Sequence, residues 1–250
     1  MNALIFAAGL GTRLRPLTDS CPKALVEVGG QPMLGRVINR VKEAGADQIV
    51  VNVHHFPDMI MEYLRNEGNF GIEIRISDER DRLLDTGGGL LKAMALFDND
   101  EPILLHNADI LTDSPLRRHM AEHAASGADA TLLVSGRESS RRLLFDRSGR
   151  MRGWARADLS EVRLAGVDIT GLQALAFGGV HVVSRSLEPL LAEYAGRHGQ
   201  AFSITDFYVE MCGRAVIRRF LPEERFSWFD IGRPASLEAA REALRSHTVR

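Results

Sequence analysis

The sequence predicts an α/β fold: a Rossmann-like, doubly wound, mostly parallel sheet with helices on both faces and a small β insertion over the site. Three observations carry that prediction. Short apolar runs alternate with helix-periodic stretches through the first part of the chain, the order that builds parallel strand–helix–strand units. The first run, Ala3-Leu4-Ile5-Phe6, opens directly into a glycine-rich turn, Ala7-Ala8-Gly9-Leu10-Gly11-Thr12-Arg13. The chain has 250 residues, 45% hydrophobic and 26% charged, ordinary globular values that allow a substantial core in one large domain.

Taken in order, Leu25 to Val28 reads as a short strand, closed by the turn Gly29-Gly30-Gln31-Pro32. Pro32 suits a first helical turn, and Met33, Leu34, Val37, Ile38 and Val41 then form an apolar helical face ending at Gly45. Ile49 to Val53 is a second buried strand, and Met59 to Leu64 begins a helix that stops near Gly68. Ile72, Ile74 and Ile76 alternate as a third strand; Thr86 opens a helix through Leu96; Ile103 to Leu105 is a fourth strand. Beyond these, Ala130 to Val134 is a strand, and Leu143–Asp146 with Met151–Trp154 make a hairpin across Ser148-Gly149-Arg150. Residues 155–175 are poorly patterned and are expected to form a lid or sheet extension. Leu175–Val183 is a strand, Phe202–Cys212 a helix, Val216–Phe220 and Phe226–Phe229 strands, and Ala235–Arg245 a last helix. The expected organisation is one domain over 1–250, divided into 1–135, 136–234 and a terminal helix over 235–250.

Composition excludes several classes of partner. A net charge of −2 argues against a nucleic-acid or anionic-membrane surface. No apolar stretch approaches the ~20 residues of a membrane span, no basic leader precedes the first strand, and a cytoplasmic protein is expected. Cys21 and Cys212 have neither metal-ligand spacing nor a disulfide framework. The pair His54-His55 invites a zinc reading, but adjacent side chains on an extended segment diverge and no third ligand is near in sequence.

The chemistry begins at the glycine-rich turn. A strand opening into such a turn aims several backbone N–H groups into one concavity suited to phosphate oxygens. Arg13 adds a forked cation and Lys23, one of three lysines with Lys42 and Lys92, a point charge. The dinucleotide fingerprint needs a third glycine where Leu14 stands, and Thr12-Arg13 cannot complete a P-loop. After the fourth strand comes His106-Asn107-Ala108-Asp109. Asp109 is either a turn or capping residue or, with a phosphate loop nearby, a ligand for Mg²⁺, which favours carboxylate and phosphate oxygens. In Leu84-Asp85-Thr86-Gly87-Gly88-Gly89, the glycines let the backbone approach a flat base, while Asp85 or Thr86 can cap the helix.

The string from Ala7 to Arg13, continued by Pro16-Leu17-Thr18 and Pro22-Lys23, resembles the signature of the sugar-1-phosphate nucleotidyltransferases. The resemblance runs along most of the chain, is strongest over 1–110, and implies a nucleotide-diphospho-sugar transferase type of fold. These enzymes join an NTP to a sugar 1-phosphate and release pyrophosphate. The resemblance implies catalytic roles for Arg13, Lys23, Asp109 and Asp230, the last within Trp228-Phe229-Asp230-Ile231-Gly232. Asp109 and Asp230 would share Mg²⁺. Nucleotide contacts are expected from Ala8, Gly9, Gly11, Thr12, Arg13, Lys23, Asn52, Asp85, Thr86, Gly87 and Gly88. Asn107, Gly179 and Asp206 border the expected sugar pocket, and Arg141, Arg142, Arg152 and Arg156 are candidates to replace a second, sugar-phosphate lysine that has no counterpart after Lys92. Of these arginines, Arg141 is placed first.

The triple glycine is similar to the N-acetylmuramate 1-phosphate uridylyltransferase branch of peptidoglycan recycling. The expected substrates are therefore UTP and N-acetylmuramic acid 1-phosphate, with Mg²⁺ as cofactor and a monomer or homodimer as the assembly. Guanylyl, thymidylyl or cytidylyl transfer to another acceptor such as mannose 1-phosphate, and a catalytically silent nucleotide-sugar sensor, are the competing readings.

Overall fold

The computed structural model describes residues 1–246, and in it the first apolar run is strand β1 (Asn2–Phe6). A short hairpin of β2 (Glu27–Val28) and β3 (Gln31–Pro32) delivers the chain to helix α1 (Met33–Glu43). The alternation continues through β4 (Gln48–Val53), α2 (Pro57–Asn66), β5 (Glu73–Asp78), α3 (Asp85–Met94) and β6 (Ile103–Asn107). β1 pairs in parallel with β4 on one side and β6 on the other, and β4 pairs with β5. Strand order thus runs outward in both directions from β1. A doubly wound sheet leaves its ligand crevice at such a reversal, beyond the carboxyl ends of the strands.

The unbroken apolar runs of β1, β4 and β6 follow from burial on both faces, whereas the edge strand β5 alternates. Ala3 and Ile5 pack in one layer with Leu34, Val37, Ile38 and Val41 of α1. Leu4 points the other way, into a second layer with Leu90, Ala93 and Met94 of α3, as the two-residue period of a strand requires.

The second half of the chain adds β7 (Ile110–Thr112), α4 (Leu116–Ser126), β8 (Ala130–Ser135), and the hairpin β9 (Arg141–Phe145) with β10 (Met151–Arg156). It continues through β11 (Val162–Leu164), β12 (Gln173–Val183), α5 (Glu188–His198), α6 (Ile204–Met211), β13 (Ile217–Phe220), β14 (Trp228–Asp230) and α7 (Pro234–Arg245). β12 is long enough to serve two sheet regions. It runs antiparallel to β6 and β8, then, past an irregularity between Phe177 and His181, to β9. The expected insertion is therefore built by β9, β10 and β11 extending the main sheet. β11 pairs with β10, so part of the 155–175 segment is a sheet extension.

Several local expectations change. Lys23–Leu25 forms a 3-10 turn that buries Lys23, and only Glu27 and Val28 remain in the strand expected over 25–28. The terminal helix expected over 235–250 is Pro234–Arg245, and 247–250 lie outside the described residues. β14 pairs with β7 in a separate two-stranded ribbon, with Asp230 opposite Ile110. The Ile231 N–H donates to the Asp109 carbonyl oxygen at 2.9 Å. That pairing draws a residue near the end of the chain to the carboxyl end of β6.

Candidate active site

A cavity of about 350 Å³ opens at the β1 reversal, lined on one side by Phe6, Ala7, Ala8, Gly9, Lys23 and Ala24. The glycine-rich turn is held in place by its own sequence. Gly11 adopts φ of 66°, and the Thr18 hydroxyl donates to the Gly11 carbonyl oxygen at 2.8 Å. A Cβ at Gly11 would lie 2.8 Å from Thr18 Cγ2, so both conformation and space call for glycine. Thr12 and Arg13 begin the 3-10 turn that follows.

Four charged side chains meet beside this turn. Lys23 is 8% exposed and its ammonium group forms a close ion pair with Asp109 Oδ2. The same Nζ lies 3.9 Å from Asp230 Oδ1, and Arg13 Nη2 lies 4.0 Å from Asp230 Oδ2. The Gly232 N–H donates to Asp230 Oδ1 at 2.8 Å and fixes that carboxylate. All four residues assigned catalytic roles by sequence are thereby brought together.

No group of three or more His, Cys, Asp or Glu side chains able to hold a metal occurs among the described residues. The two carboxylates nonetheless fit Mg²⁺, which is commonly held by one or two carboxylates plus substrate phosphates and retained water. Each aspartate keeps an oxygen outside its closest contact, and Lys23 and Arg13 together offset the two negative charges.

The opposite wall contains Asn52, Leu83, Asp85, Thr86 and Ala201. Asn52 is 2% exposed and its amide is fully engaged. Its Oδ1 accepts from the Ala7 N–H at 2.8 Å and its Nδ2 donates to Glu79 Oε1 at 2.9 Å. Glu79 Oε2 also accepts from the Leu84 N–H at 3.0 Å. The buried Glu79 carboxylate, which sequence reasoning missed, therefore ties the glycine-rich turn to the start of α3. Asn52 borders the cavity as part of that strut.

The Asp85–Gly88 segment does two separate jobs. Asp85, at φ of 57°, and Thr86 face the cavity. Gly87 and Gly88 do not line it; they pack against residues 200–202. A Cβ at Gly88 would lie 2.0 Å from the Gln200 carbonyl oxygen, and one at Gly87 would lie 2.3 Å from the Phe202 ring. The Gly87 N–H donates to the Phe202 carbonyl oxygen at 2.8 Å, and Thr86 Oγ1 accepts from the Ile204 N–H at 2.9 Å. Close approach of two backbone segments explains these glycines.

On the remaining side, Asn107 and Asp109 line the cavity. Gly179, at φ of 70°, brings the irregular part of β12 so near that a Cβ would sit 2.9 Å from Asn107 Nδ2. Arg141 and Asp206 are exposed and line no part of the cavity; Asp206 faces Arg163 at 3.9 Å. Arg152 and Arg156 are engaged elsewhere, with Asp146 at 2.7 Å and Glu161 at 3.6 Å. On this side the Asp230 charge acts on an arginine that the sequence did not single out. Arg137 stacks on Trp228 with its guanidinium carbon 3.7 Å from the ring centroid, and its Nη2 donates to the Phe177 carbonyl oxygen at 2.6 Å. Burial holds its pKa below the usual arginine value, with the Asp230 carboxylate opposing that shift and the Arg142 charge adding to it.

The sequence profile described as Nucleotidyl transferase matches residues 2–143. The chain is 42% identical over 130 residues to an N-acetylmuramate alpha-1-phosphate uridylyltransferase of Caulobacter vibrioides, covering 51% of this chain and 50% of that protein. It is 35% identical over 137 residues to a probable mannose-1-phosphate guanylyltransferase of Oryza sativa, covering 54% and 38% of the two chains. The chain thus spans about half the length, or less, of these curated relatives. Among solved structures, a UDP-glucose pyrophosphorylase complexed with UDP-glucose superposes with a TM-score of 0.77 at 17% identity, over 98% of both chains. That likeness establishes the α/β fold.

Proposed function

The chain belongs to the nucleotidyl transferase family, and on that premise we propose that it transfers a nucleotidyl group from an NTP to a sugar 1-phosphate, releasing pyrophosphate. The observation that carries the reading is the meeting of Lys23, Arg13, Asp109 and Asp230 beside the Ala8-Gly9 turn. An acceptor phosphate oxygen is already anionic, so attack on the α-phosphorus needs no strong general base. The new oxygen–phosphorus bond forms as the bond to the bridging oxygen of pyrophosphate breaks, and alignment with charge neutralisation supplies the catalysis. Arg13 and the backbone N–H groups of residues 8–12 would hold the departing pyrophosphate. Lys23 would sit between the α-phosphate and the acceptor phosphate, released from Asp109 as substrate charge arrives. When bound, Mg²⁺ held by Asp109 and Asp230 would neutralise phosphate charge.

UTP is the proposed donor and N-acetylmuramic acid 1-phosphate the proposed acceptor, supported by the Caulobacter relative. Asp85, Thr86 and Leu83 would face the base, and Asn107 and Gly179 the sugar. Residues 1–135 would carry most nucleotide contacts and 136–234 most acceptor contacts, within a cytoplasmic enzyme acting as monomer or homodimer. The rice relative keeps GTP with mannose 1-phosphate as the second reading. Competitive kcat/KM measurements over UTP, dTTP, CTP and GTP against N-acetylmuramic acid, glucose and mannose 1-phosphates test it. Unpaired polar groups left by a wrong base cost about 1–3 kcal/mol each, so UTP should lead CTP and GTP by at least about tenfold. A preference for GTP with mannose 1-phosphate would overturn the substrate assignment but leave the reaction class.

A further inference from the structure

Arg137 is a cation whose placement the fold alone does not account for. It follows β8 in a turn, is half-buried, and has no carboxylate within 4.0 Å among the described residues. Its Nε is buried without a hydrogen-bond partner. Removing a guanidinium from water is unfavourable unless charge or hydrogen bonds compensate it. Here the compensation is incomplete: an indole face, the Phe177 carbonyl at 2.6 Å and the Glu138 carbonyl at 3.3 Å.

The partner of the stack locates this charge. Trp228 and Asp230 are two residues apart on β14, so their side chains share a face, roughly 6.6 Å apart along the strand. The Trp228 Nε1–H donates to the Gly178 carbonyl oxygen at 2.8 Å. Arg137 and Trp228 thus grip consecutive carbonyls of β12, at Phe177 and Gly178, immediately before Gly179 presses on Asn107. Arg13 and Lys23 approach Asp230 from the glycine-rich turn; Arg137 lies on the Trp228 side, outside the residues that line the cavity, and feels the Asp230 charge from there.

We propose that Arg137 binds the phosphate of the acceptor, a phosphate monoester, so that the two phosphates joined in the reaction are received by cations on opposite sides of Asp230. The proposal rests on the nucleotidyl-transfer reading for the identity of the acceptor. The guanidinium is stacked and pinned by two carbonyls, so its charge is pre-set with little rotamer freedom left to lose.

Arg137→Gln removes the charge, and reading acceptor binding against UTP binding separates this role from a purely structural clamp, whose loss would affect both ligands alike. Calorimetric titration with N-acetylmuramic acid 1-phosphate and glucose 1-phosphate, and with UTP, is compared in wild type and variant. The expected result is acceptor binding weakened about tenfold or more, a matching rise in acceptor KM, and UTP binding within about twofold, in a variant still folded at the assay temperature. Arg137→Lys, which keeps charge without the fork, should fall between them, and it carries the same test if Arg137→Gln does not fold. Equal acceptor binding in wild type and variant, equal losses for UTP and acceptor, or no sugar phosphate bound by the wild type would each overturn the proposal. Failure of the nucleotidyl-transfer reading is a separate outcome: no pyrophosphate release by a wild type that still binds sugar phosphate through Arg137.

Discussion

A methyl group at position 232 would probe the charged cluster without replacing any of its members. A Cβ built on Gly232 lies 2.6 Å from Lys23 Nζ, 2.7 Å from Arg13 Nη2 and 2.7 Å from Asp230 Oδ1. Ordinary contact begins at 3.4 Å, so these groups must retreat by about 0.7–0.8 Å. All three are side-chain ends, and the backbone need not move. Misplacement on the scale of 1 Å is worth about 10²-fold in rate, or about 2.7 kcal/mol of barrier. Gly232→Ala should therefore lower kcat for pyrophosphate release by about 10²-fold with Tm nearly unchanged. Gly88→Ala is the contrasting control. Its added Cβ meets backbone, the Gln200 carbonyl oxygen at 2.0 Å, so strain of about 1–3 kcal/mol should lower Tm by several degrees. Full activity in Gly232→Ala, measured at saturating substrates, would refute the claim that this cluster is the reacting centre. So would an activity loss that merely follows lost Tm.

Asp230→Asn should nearly abolish turnover while the far-ultraviolet circular dichroism stays native, and EDTA should reproduce the loss in wild type; full activity with saturating Mg²⁺ would rule out a shared two-carboxylate site. Lys23→Ala should lower kcat by about 10²–10³-fold with a smaller change in KM, as loss of a preorganised charge does; a change confined to KM would make Lys23 a passive binder. Four buried histidines predict acid sensitivity. Burial lowers His106 and His123 to about 4 and His119 and His181 to about 3, below the usual 6.5. Their folded pKa values are depressed, so the unfolded chain binds more protons below about pH 6.5. Their contribution is complete above that pH and falls by about 1.4 kcal/mol per pH unit per histidine toward pH 4. Urea unfolding at pH 7.5 and 5.0 should show a loss of several kcal/mol, and equal stabilities would contradict it.

The parallel half was legible because its inner strands are buried on both faces and its turns carry glycine and proline at punctuating positions. The phosphate turn, Asp109 and the Trp228–Gly232 string were likewise contiguous in sequence. α4 and α5 went unread. α4 buries Leu116, His119 and His123 where a helical apolar stripe would ordinarily hold aliphatics. α5 begins with Glu188-Pro189 and buries only Leu191 and Tyr194. β7 is three residues long and is defined by pairing with β14, far away in sequence. The acceptor side was least legible for the same reason. Arg137 stands in an unremarkable Gly136-Arg137-Glu138 turn, and only the fold brings Trp228 beneath it. Glu79 looks like one charge in the run Asp78-Glu79-Arg80-Asp81, although it is 2% exposed and bonded to Asn52 and Leu84. Gly87 and Gly88 show the converse: a pattern that sequence reasoning assigned to a base contact is accounted for by packing on Gln200 and Phe202.

The most direct measurement of the central claim is ³¹P NMR of the wild-type protein with UTP, N-acetylmuramic acid 1-phosphate and Mg²⁺. The account predicts that the γ-phosphate resonance and the sugar-phosphate resonance disappear together. They should be replaced in equal amounts by pyrophosphate and a diphosphate-bridged nucleotide sugar, with neither product formed when either substrate is omitted. Release of inorganic phosphate from UTP without the acceptor would contradict it, as would no turnover with any pairing of the four NTPs and three sugar 1-phosphates.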